Sequence, residues 1–343
     1  MRTLIIDNPS SGSLLRKIFK NIRRVSWDRD FCYVKTKDTD EAKDIVSERK
    51  AQGTTHCGIS SGDGGVGNLL NVLLPGEATL IIDPRGTSEN LGNSLRRECE
   101  ERYQELFERH ERGDINLANY VIGADVMEVR HDESNPKFAA TTTSIGLTAA
   151  VCYDVEKYYK RSILGRKFHY GRKALNKKNE FKPFKIGYSI NKGEQEGTLE
   201  NLFAVEIANG PHIASMPNFN PEDTLTSGSL GLFFFEDRGM GNFIELMANL
   251  KLVGNIKHIT SEKDERGFNM YGVNYSRVKS VDIKILDWDN NKDYFLEMDG
   301  EAKKFNPSEA IRAEIKPKAV KYVYLPWILD MFSTDTRKFY DGR

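Results

Sequence analysis

The first 123 residues alternate short apolar runs with segments in which apolar residues recur at helical spacing. Four runs have the length of buried strands: 3–6, 31–35, 55–60 and 79–82. Four segments have helical periodicity: 13–24, 39–51, 66–74 and 89–112. Strand–helix alternation of this kind predicts a parallel sheet with right-handed crossovers. The sequence therefore predicts an α/β domain over residues 1–123.

The pattern changes near residue 124, where short apolar runs alternate with polar positions. Seven runs read as antiparallel strands: 126–130, 137–143, 184–190, 202–208, 228–236, 278–287 and 293–298. Helical spacing recurs over two segments, 147–176 and 240–250. Alternation with period two is typical of antiparallel sheets. Residues 124–305 are therefore predicted to form a second, β-rich domain.

A glycine-rich loop separates the predicted strand 55–60 from the helix that follows it. Its sequence is Ser61-Gly62-Asp63-Gly64-Gly65. Glycines carry no Cβ, so backbone N–H groups in such a loop can approach a phosphate closely. Asp63 could bind a metal, act as a general base, or simply cap the following helix. A turn of this kind also occurs in α/β proteins that bind no ligand there.

Two further strands of the first domain end in loops of similar composition, Asn8-Pro9-Ser10-Ser11-Gly12 and Pro84-Arg85-Gly86-Thr87. In an open parallel sheet, the loops at the carboxyl ends of the strands line one crevice, where ligands bind. Three small, polar loops suit a nucleotide polyphosphate. The candidate phosphate-binding residues are Asn8, Ser10, Ser11, Gly12, Gly62, Gly64, Gly65, Gly86 and Thr87. Thr36 could touch the nucleoside, although such a residue is often only the end of a strand.

The order of these three loops resembles the catalytic domain of the diacylglycerol kinase family. That family includes soluble bacterial lipid kinases and sphingosine kinases. Later segments continue the resemblance: Ile122–Asp125, Ser144–Ala149, Asn209–Pro217, Gly228–Leu230 and Met298–Glu301, the last matching the family's Asp-Gly-Glu. The similarity covers nearly the whole chain. It implies that residues from about 306 to 343 return to the first domain.

The chain also departs from the family's pattern. The family usually has Gly-Gly-Asp-Gly-Thr, whereas Ser61 and Gly65 stand here at the first and last positions. On the acceptor side, Thr148 replaces the Asp of Phe-Asp-Ala, and Thr226-Ser227 replaces a pair of aspartates. An Asn-Asp pair of the family becomes Glu89-Asn90. The departures therefore concern the acceptor more than the phosphoryl chemistry.

The resemblance implies a kinase that uses ATP and Mg²⁺ to phosphorylate a lipid hydroxyl, with diacylglycerol as the first candidate. It assigns catalytic roles to Asp63, Asp299 and Glu301, and Asp63 and Asp125 are the candidate metal ligands. Each assignment has an alternative. Asp299-Gly300 is also a common hairpin turn, and Asp125 could be a solvated loop carboxylate.

Composition adds limits on the function. The 343 residues carry 50 basic and 50 acidic side chains, so no global field favours a nucleic-acid partner. The four cysteines are far apart and lack metal-ligand spacing, which indicates reduced thiols. No secretory signal pattern and no apolar run of membrane-spanning length is present, so a cytoplasmic protein is expected.

One basic segment, residues 156–185, interleaves Lys and Arg with aromatic side chains. This composition suits an anionic membrane surface, where rings lie at headgroup level and cations meet phosphate. It suits equally a solvated helix whose aromatic residues face the core. The expected partners are a lipid substrate at an anionic membrane surface, with peripheral association, and a second copy in a homodimer.

Three functions remain open from the sequence. The first is a lipid kinase, and the second is a kinase of the same superfamily acting on a sugar, nucleoside or dinucleotide. The third is a nucleotide-binding pseudokinase, which the altered positions Gly65, Asn90, Thr148 and Ser227 favour.

Overall fold

The computed structural model describes residues 2–7, 30–36, 39–74, 79–84, 90–111, 120–131, 135–158, 163–212, 224–253, 263–289 and 293–324. The chain divides into two compact units. The first unit comprises Met1–Ala124 and Lys318–Arg343, and the second unit comprises Asp125–Pro317.

The first unit contains a parallel sheet. Its elements in chain order are β1 (Arg2–Asp7), β2 (Asp30–Lys35), α1 (Thr39–Ala51), β3 (His56–Ser61), α2 (Asp63–Leu73), β4 (Thr79–Pro84) and α3 (Asn90–Glu111). β1 lies between β2 and β3, and β4 follows β3, with every pair parallel. The last residues of β15 (Ile311–Tyr324) add a further parallel strand beside β4. The predicted α/β class is confirmed in this unit.

The core of the first unit explains why these runs form strands. Alternate residues of β1, Leu4 and Ile6, are buried, and every residue of β3 after His56 is buried. Strands buried on both faces read as continuous apolar runs. α2 packs its apolar stripe inward, with Val66, Leu69, Leu70 and Leu73 buried.

Helix α2 begins earlier than predicted. The apolar spacing indicated a start near residue 66, whereas the helix begins at Asp63 and includes Gly64 and Gly65 in its first turn. Glycines carry no apolar side chain, so they contribute nothing to the periodic pattern from which a helix is predicted.

The second unit is antiparallel. Its strands are β5 (Ile122–His131, entering from the first unit), β6 (Lys137–Ala139), β7 (Thr142–Gly146), β8 (Phe184–Ile190), β9 (Gln195–Ala208), β10 (Leu230–Glu236), β11 (Val273–Val278), β12 (Ser280–Ile285), β13 (Phe295–Met298), β14 (Glu301–Lys304) and the first half of β15. The strand order is β14-β13-β7-β9-β8-β12-β15. Beside this path, β10 pairs with β9 and β11, and β5 pairs with β6. The predicted β-rich second part is confirmed.

Two predicted elements of the second unit are each two elements in the structure. The run 137–143 is broken into β6 and β7. The run 278–287 corresponds to β12, and only its first residue, Val278, belongs to β11. The helix predicted over 147–176 is α4 (Leu147–Tyr158) and α5 (Ile163–Glu180), and α6 (Met240–Val253) follows later. The break after β6 has a physical cause, because the backbone N–H groups of Ala140 and Thr141 bind a side chain instead of a neighbouring strand.

Each face of the antiparallel sheet has its own core. One apolar cluster includes Ile145, Val205, Ile207 and Phe234. The other, which we call the helix-covered face, joins Phe203, Phe233 and Phe235 to residues of α4 and α6. None of the helices that the structure describes is long and apolar enough to cross a membrane.

Candidate functional site

Asp63 is the first residue of α2, and its carboxylate caps a different helix. Oδ2 accepts the backbone N–H of Asn90 at 2.8 Å, and Oδ1 accepts that of Leu91 at 3.2 Å. These are the first two residues of α3, whose N–H groups have no partner within the helix. The side chain is 7% exposed. Asp63 therefore ties the start of α2 to the start of α3, and its negative charge lies at the positive end of the α3 dipole.

The glycines around Asp63 form the start of α2. Gly62, the N-cap residue, is extended, with φ −78° and ψ 177°, and as a glycine it makes no side-chain cap. The carbonyl of Gly62 accepts the N–H of Val66 at 3.2 Å, which closes the first helical turn. A helix start without a side-chain cap keeps backbone N–H groups available to an anion.

Ser61 and Gly65 are linked in space. A Cβ built on Gly65 would lie 1.9 Å from Ser61 Oγ and 2.9 Å from Ser61 Cβ. The Ser61 side chain thus fills the space that any side chain at position 65 would need. The two departures from the Gly-Gly-Asp-Gly-Thr pattern are therefore one exchange, in which the hydroxyl moves from position 65 to position 61.

Two polar groups lie at the carboxyl ends of neighbouring strands. Ser60 Oγ donates to Asp83 Oδ2 at 3.1 Å, and both residues are buried. In the sheet register, Ser60 is paired with Asp7 of β1 and with Asp83 of β4. Asp83 was not among the predicted site residues. Its position could have suggested a role, because it directly follows an apolar strand, as Asp7 does.

Thr36 follows β2 and is almost completely buried, at 1% exposed. Among the residues that the structure describes, its hydroxyl has no hydrogen-bond partner. A buried hydroxyl without a partner costs about 1–3 kcal/mol. The predicted phosphate-binding residues Asn8, Ser10, Ser11, Gly12, Gly86 and Thr87 lie outside the described residues and stay predictions.

In the second unit, Asp299 is buried and bound by backbone. Its carboxylate accepts the N–H groups of Ala140 at 2.6 Å, Thr141 at 2.7 Å and Thr142 at 3.2 Å, and also the Thr141 hydroxyl at 2.8 Å. Burial raises the pKa of Asp299, and these hydrogen bonds oppose that rise. The side chain is 4% exposed.

Asp299 and Gly300 also make the tight turn between β13 and β14. Their φ angles are +52° and +87°, and Met298 pairs with Glu301 across the turn. Two successive positive φ values fit the twist of a two-residue hairpin. The hairpin interpretation of Asp299-Gly300 therefore holds together with the buried contacts. Glu301, the next residue, has an exposed side chain.

The Glu297 side chain is hydrogen-bonded to this turn. One carboxylate oxygen accepts the N–H of Gly300, and the other accepts the Ser144 hydroxyl at 2.9 Å. The side chain is 7% exposed, and its pKa is raised to about 7, mainly by burial and in smaller part by the charge of Asp299. Sequence analysis missed Glu297. Its signal was an acidic residue inside a short apolar strand.

Asp125 is buried, and its hydrogen bonds connect β5 to the loop around residues 225–228. Its Oδ2 accepts the N–H of Gly228 at 2.6 Å, and its own N–H donates to the carbonyl of Leu225 at 2.6 Å. These contacts hold β5 against the turn that contains Thr226 and Ser227. Within the described ranges, no group of three His, Cys, Asp or Glu side chains is arranged to hold a metal ion.

The residues present fit a metal that arrives with a nucleotide. Mg²⁺ is usually held by one or two carboxylates together with substrate phosphates. Asp63 and Asp125 are carboxylates of the kind that such a metal takes, and both stay predicted metal ligands.

Comparison with known proteins agrees with the motifs. Residues 2–119 match the profile of the diacylglycerol kinase catalytic domain. A search of curated proteins found no significant match. Three of the similar solved structures are diacylglycerol kinases or candidate diacylglycerol kinases of Bacillus anthracis str. Sterne. A candidate diacylglycerol kinase has 20% identity and a TM-score of 0.63, covering 94% of this chain and 96% of its own.

Two further structures from that organism are similar. A diacylglycerol kinase has 17% identity and a TM-score of 0.59, covering 94% of this chain and 96% of its own. A second candidate diacylglycerol kinase has 19% identity and a TM-score of 0.62, with coverage of 95% and 97%. At these identities the likeness establishes the fold, while the profile match concerns the sequence itself. The resemblance to the diacylglycerol kinase catalytic domain is thereby confirmed over residues 2–119, and with it the class of a phosphotransferase that has an alcohol group as acceptor.

Proposed function

We propose that this protein is a kinase that transfers the γ-phosphate of ATP to the hydroxyl of a lipid such as diacylglycerol, with Mg²⁺ bound to the nucleotide. The observation that carries the proposal is the uncapped, glycine-rich start of α2, within residues that match the catalytic-domain profile. Phosphoryl transfer requires a held polyphosphate, a metal and a group that receives the acceptor proton.

The first unit is proposed to hold the nucleotide. Backbone N–H groups at the start of α2 would bind phosphate oxygens, because its N-cap residue, Gly62, makes no side-chain cap. The buried Thr36 hydroxyl would gain its hydrogen bond from the nucleoside. Asp63 would bind the metal through its carboxylate, which also accepts two backbone N–H groups of α3.

The second unit is proposed to supply the proton acceptor. The exposed carboxylate of Glu301 would take the proton from the lipid hydroxyl as the hydroxyl oxygen forms its bond to the γ-phosphorus. The bond between that phosphorus and the bridging oxygen of ADP breaks in the same displacement. Asp299 would not touch the acceptor, because its carboxylate is enclosed by the backbone of residues 140–142.

Fewer residues of the basic segment 156–185 are candidates for binding a membrane surface than its composition suggests, because several are paired or buried. Lys173 and Lys177 pair with Asp154, and Lys178 pairs with Asp237 at 2.6 Å. The aromatic residues of this segment that the structure describes, Tyr170, Phe181 and Phe184, pack in the core clusters. Arg172, Leu175 and Lys182 are among the exposed residues of the segment, as is the acidic Glu180. We propose that the first three meet the anionic surface.

The second candidate is a member of this kinase class that binds nucleotide but has lost phosphoryl transfer. The specific observation that favours it is that both predicted catalytic aspartates, Asp63 and Asp299, are engaged by backbone N–H groups. Such contacts are expected where a carboxylate has kept a structural role. Exposed Glu301 favours the kinase instead.

The experiment is an incubation of the purified protein with labelled ATP, Mg²⁺ and either a whole-lipid extract in mixed micelles or an aqueous metabolite extract. Label in the lipid phase would support the proposal, and mass spectrometry would identify the acceptor. Label in an aqueous product would identify a soluble acceptor and overturn the lipid assignment. ATP binding with no labelled product in either extract would support the second candidate.

A further inference from the structure

Three buried side chains form one row across neighbouring strands of the second unit. Glu297 of β13 is paired with Ser144 of β7, and Ser144 is paired with Glu206 of β9. Paired residues point to the same side of a sheet. The two glutamates are therefore two strands apart, about 10 Å between Cα atoms, on the helix-covered face. Glu206 is 6% exposed.

The surroundings of the two carboxyl groups differ. Glu297 accepts hydrogen bonds from the Gly300 N–H and the Ser144 hydroxyl, with the Thr142 hydroxyl at 3.4 Å. Donors of this kind favour a charged carboxylate. Glu206 is paired in register with Phe233 of β10, and Phe203 belongs to the same cluster. An apolar environment favours the neutral acid.

The charge of one carboxyl opposes the charge of the other. Burial, followed by the charge of Glu297, raises the pKa of Glu206 well above its ordinary value. The charge that raises the pKa of Glu297 is that of Asp299 on the β13–β14 turn. From α4, Thr148 acts on Glu206 and opposes the rise in its pKa, and the acidic Asp154 of that helix is paired with Lys173 and Lys177. We therefore expect the two glutamates to share one proton, with Glu206 neutral and Glu297 charged.

The contacts of Glu297 reach the proposed catalytic group. Gly300 is held at its N–H by Glu297 and at its carbonyl by the Cys152 thiol, which donates at 2.9 Å. Glu301 is the next residue in the chain, so the contacts of Glu297 and Cys152 with Gly300 also restrain the backbone of Glu301. We propose that charged Glu297 is a positioning residue for the Glu301 carboxylate, with Glu206 carrying the proton that would otherwise discharge it. This inference rests on the proposed kinase function.

The first test is the pH dependence of kcat for lipid phosphorylation. The wild type should gain activity as pH rises through about 7, because Glu297 then becomes charged. Glu297→Gln should lower kcat about tenfold and leave KM for ATP unchanged. It should also abolish the rise of kcat with pH, which we call the pH limb. Glu128→Gln removes another buried carboxyl of the same unit, paired with Arg130, and should keep the limb.

Two further variants keep the proposal falsifiable if Glu297→Gln fails to fold. Ser144→Ala removes a donor to charged Glu297, so the midpoint should move to higher pH. Glu206→Gln replaces a neutral acid with a neutral amide, so the midpoint should stay in place. An unmoved midpoint in Ser144→Ala, or a midpoint lowered in Glu206→Gln, would overturn the proton assignment.

Hydrogen exchange separates this inference from the kinase function. After correction for intrinsic rates, the Gly300 amide should exchange about tenfold faster in Glu297→Gln than in the wild type, and faster at pH 6 than at pH 8. Such a result in a protein that phosphorylates no acceptor would refute the kinase function and leave the support of the turn by Glu297 in place. Activity with unchanged Gly300 protection and an unchanged pH limb would refute the positioning role alone.

Discussion

The carboxylate of Asp63 accepts a hydrogen bond of 2.8 Å from the backbone N–H of Asn90. This contact joins the helix that follows β3 to the helix that follows β4. Asp63 was predicted as a catalytic and metal-binding residue, with helix capping as the alternative. The structure shows that Asp63 caps α3, and its metal-binding role stays a proposal.

Asp63→Asn tests the cap. The amide keeps one acceptor oxygen but turns an NH₂ group toward the other N–H, so one buried donor loses its partner. We expect the free energy of unfolding in urea to fall by about 1–3 kcal/mol. Asp44→Asn, an exposed change in α1, is the control and should change it by less than about 0.5 kcal/mol. Equal effects of the two substitutions would contradict the cap.

Because Ser61 occupies the space beside Gly65, the effect of Gly65→Ala on the free energy of unfolding should change sign when Ser61 is removed. Gly65→Ala alone should destabilise the protein by about 1–3 kcal/mol, because the new Cβ overlaps Ser61. In a Ser61→Gly background the same substitution should be neutral or stabilising by up to about 1 kcal/mol, as alanine is the better helix former. A double-mutant cycle in urea measures the difference. Additive effects would show that the two side chains do not compete for space.

Thr36→Val separates ligand binding from stability. Valine has the shape of threonine without the hydroxyl, and that hydroxyl is buried without a partner among the described residues. The free energy of unfolding should therefore stay the same or rise. If the hydroxyl contacts the nucleoside, calorimetry should show ATP binding weakened about fivefold to tenfold, or about 1–1.4 kcal/mol. Unchanged ATP affinity would remove Thr36 from the nucleotide site.

Glu297 predicts how stability depends on pH. Its pKa is about 7 in the folded protein and lies near 4.5 in the unfolded chain, so the folded state binds more protons between these values. Stability should therefore fall as pH rises from about 5 to 7, by on the order of 3 kcal/mol from this group. Thermal unfolding at several pH values should show a smaller slope in Glu297→Gln. An identical slope would contradict the assignment.

The sequence predicted the parallel strands well because both of their faces are buried, as the apolar run of β3 shows. It placed the start of α2 three residues late, since Asp63, Gly64 and Gly65 have no apolar periodicity. It missed the break between β6 and β7 because that break depends on Asp299, far away in the chain. Glu206 and Glu297 were missed for a related reason, since only the packing of α4 shows that their side of the sheet is buried.

The most direct measurement of the central claim is a comparison of wild type and Glu301→Gln in the transfer of labelled γ-phosphate from ATP to diacylglycerol in mixed micelles with Mg²⁺. Glu301 is exposed, so the variant should unfold at the same urea concentration as the wild type. Loss of a general base should reduce kcat by about 10²–10⁴. A wild type that labels the lipid at a rate that Glu301→Gln matches would contradict the account, as would a wild type that labels no lipid.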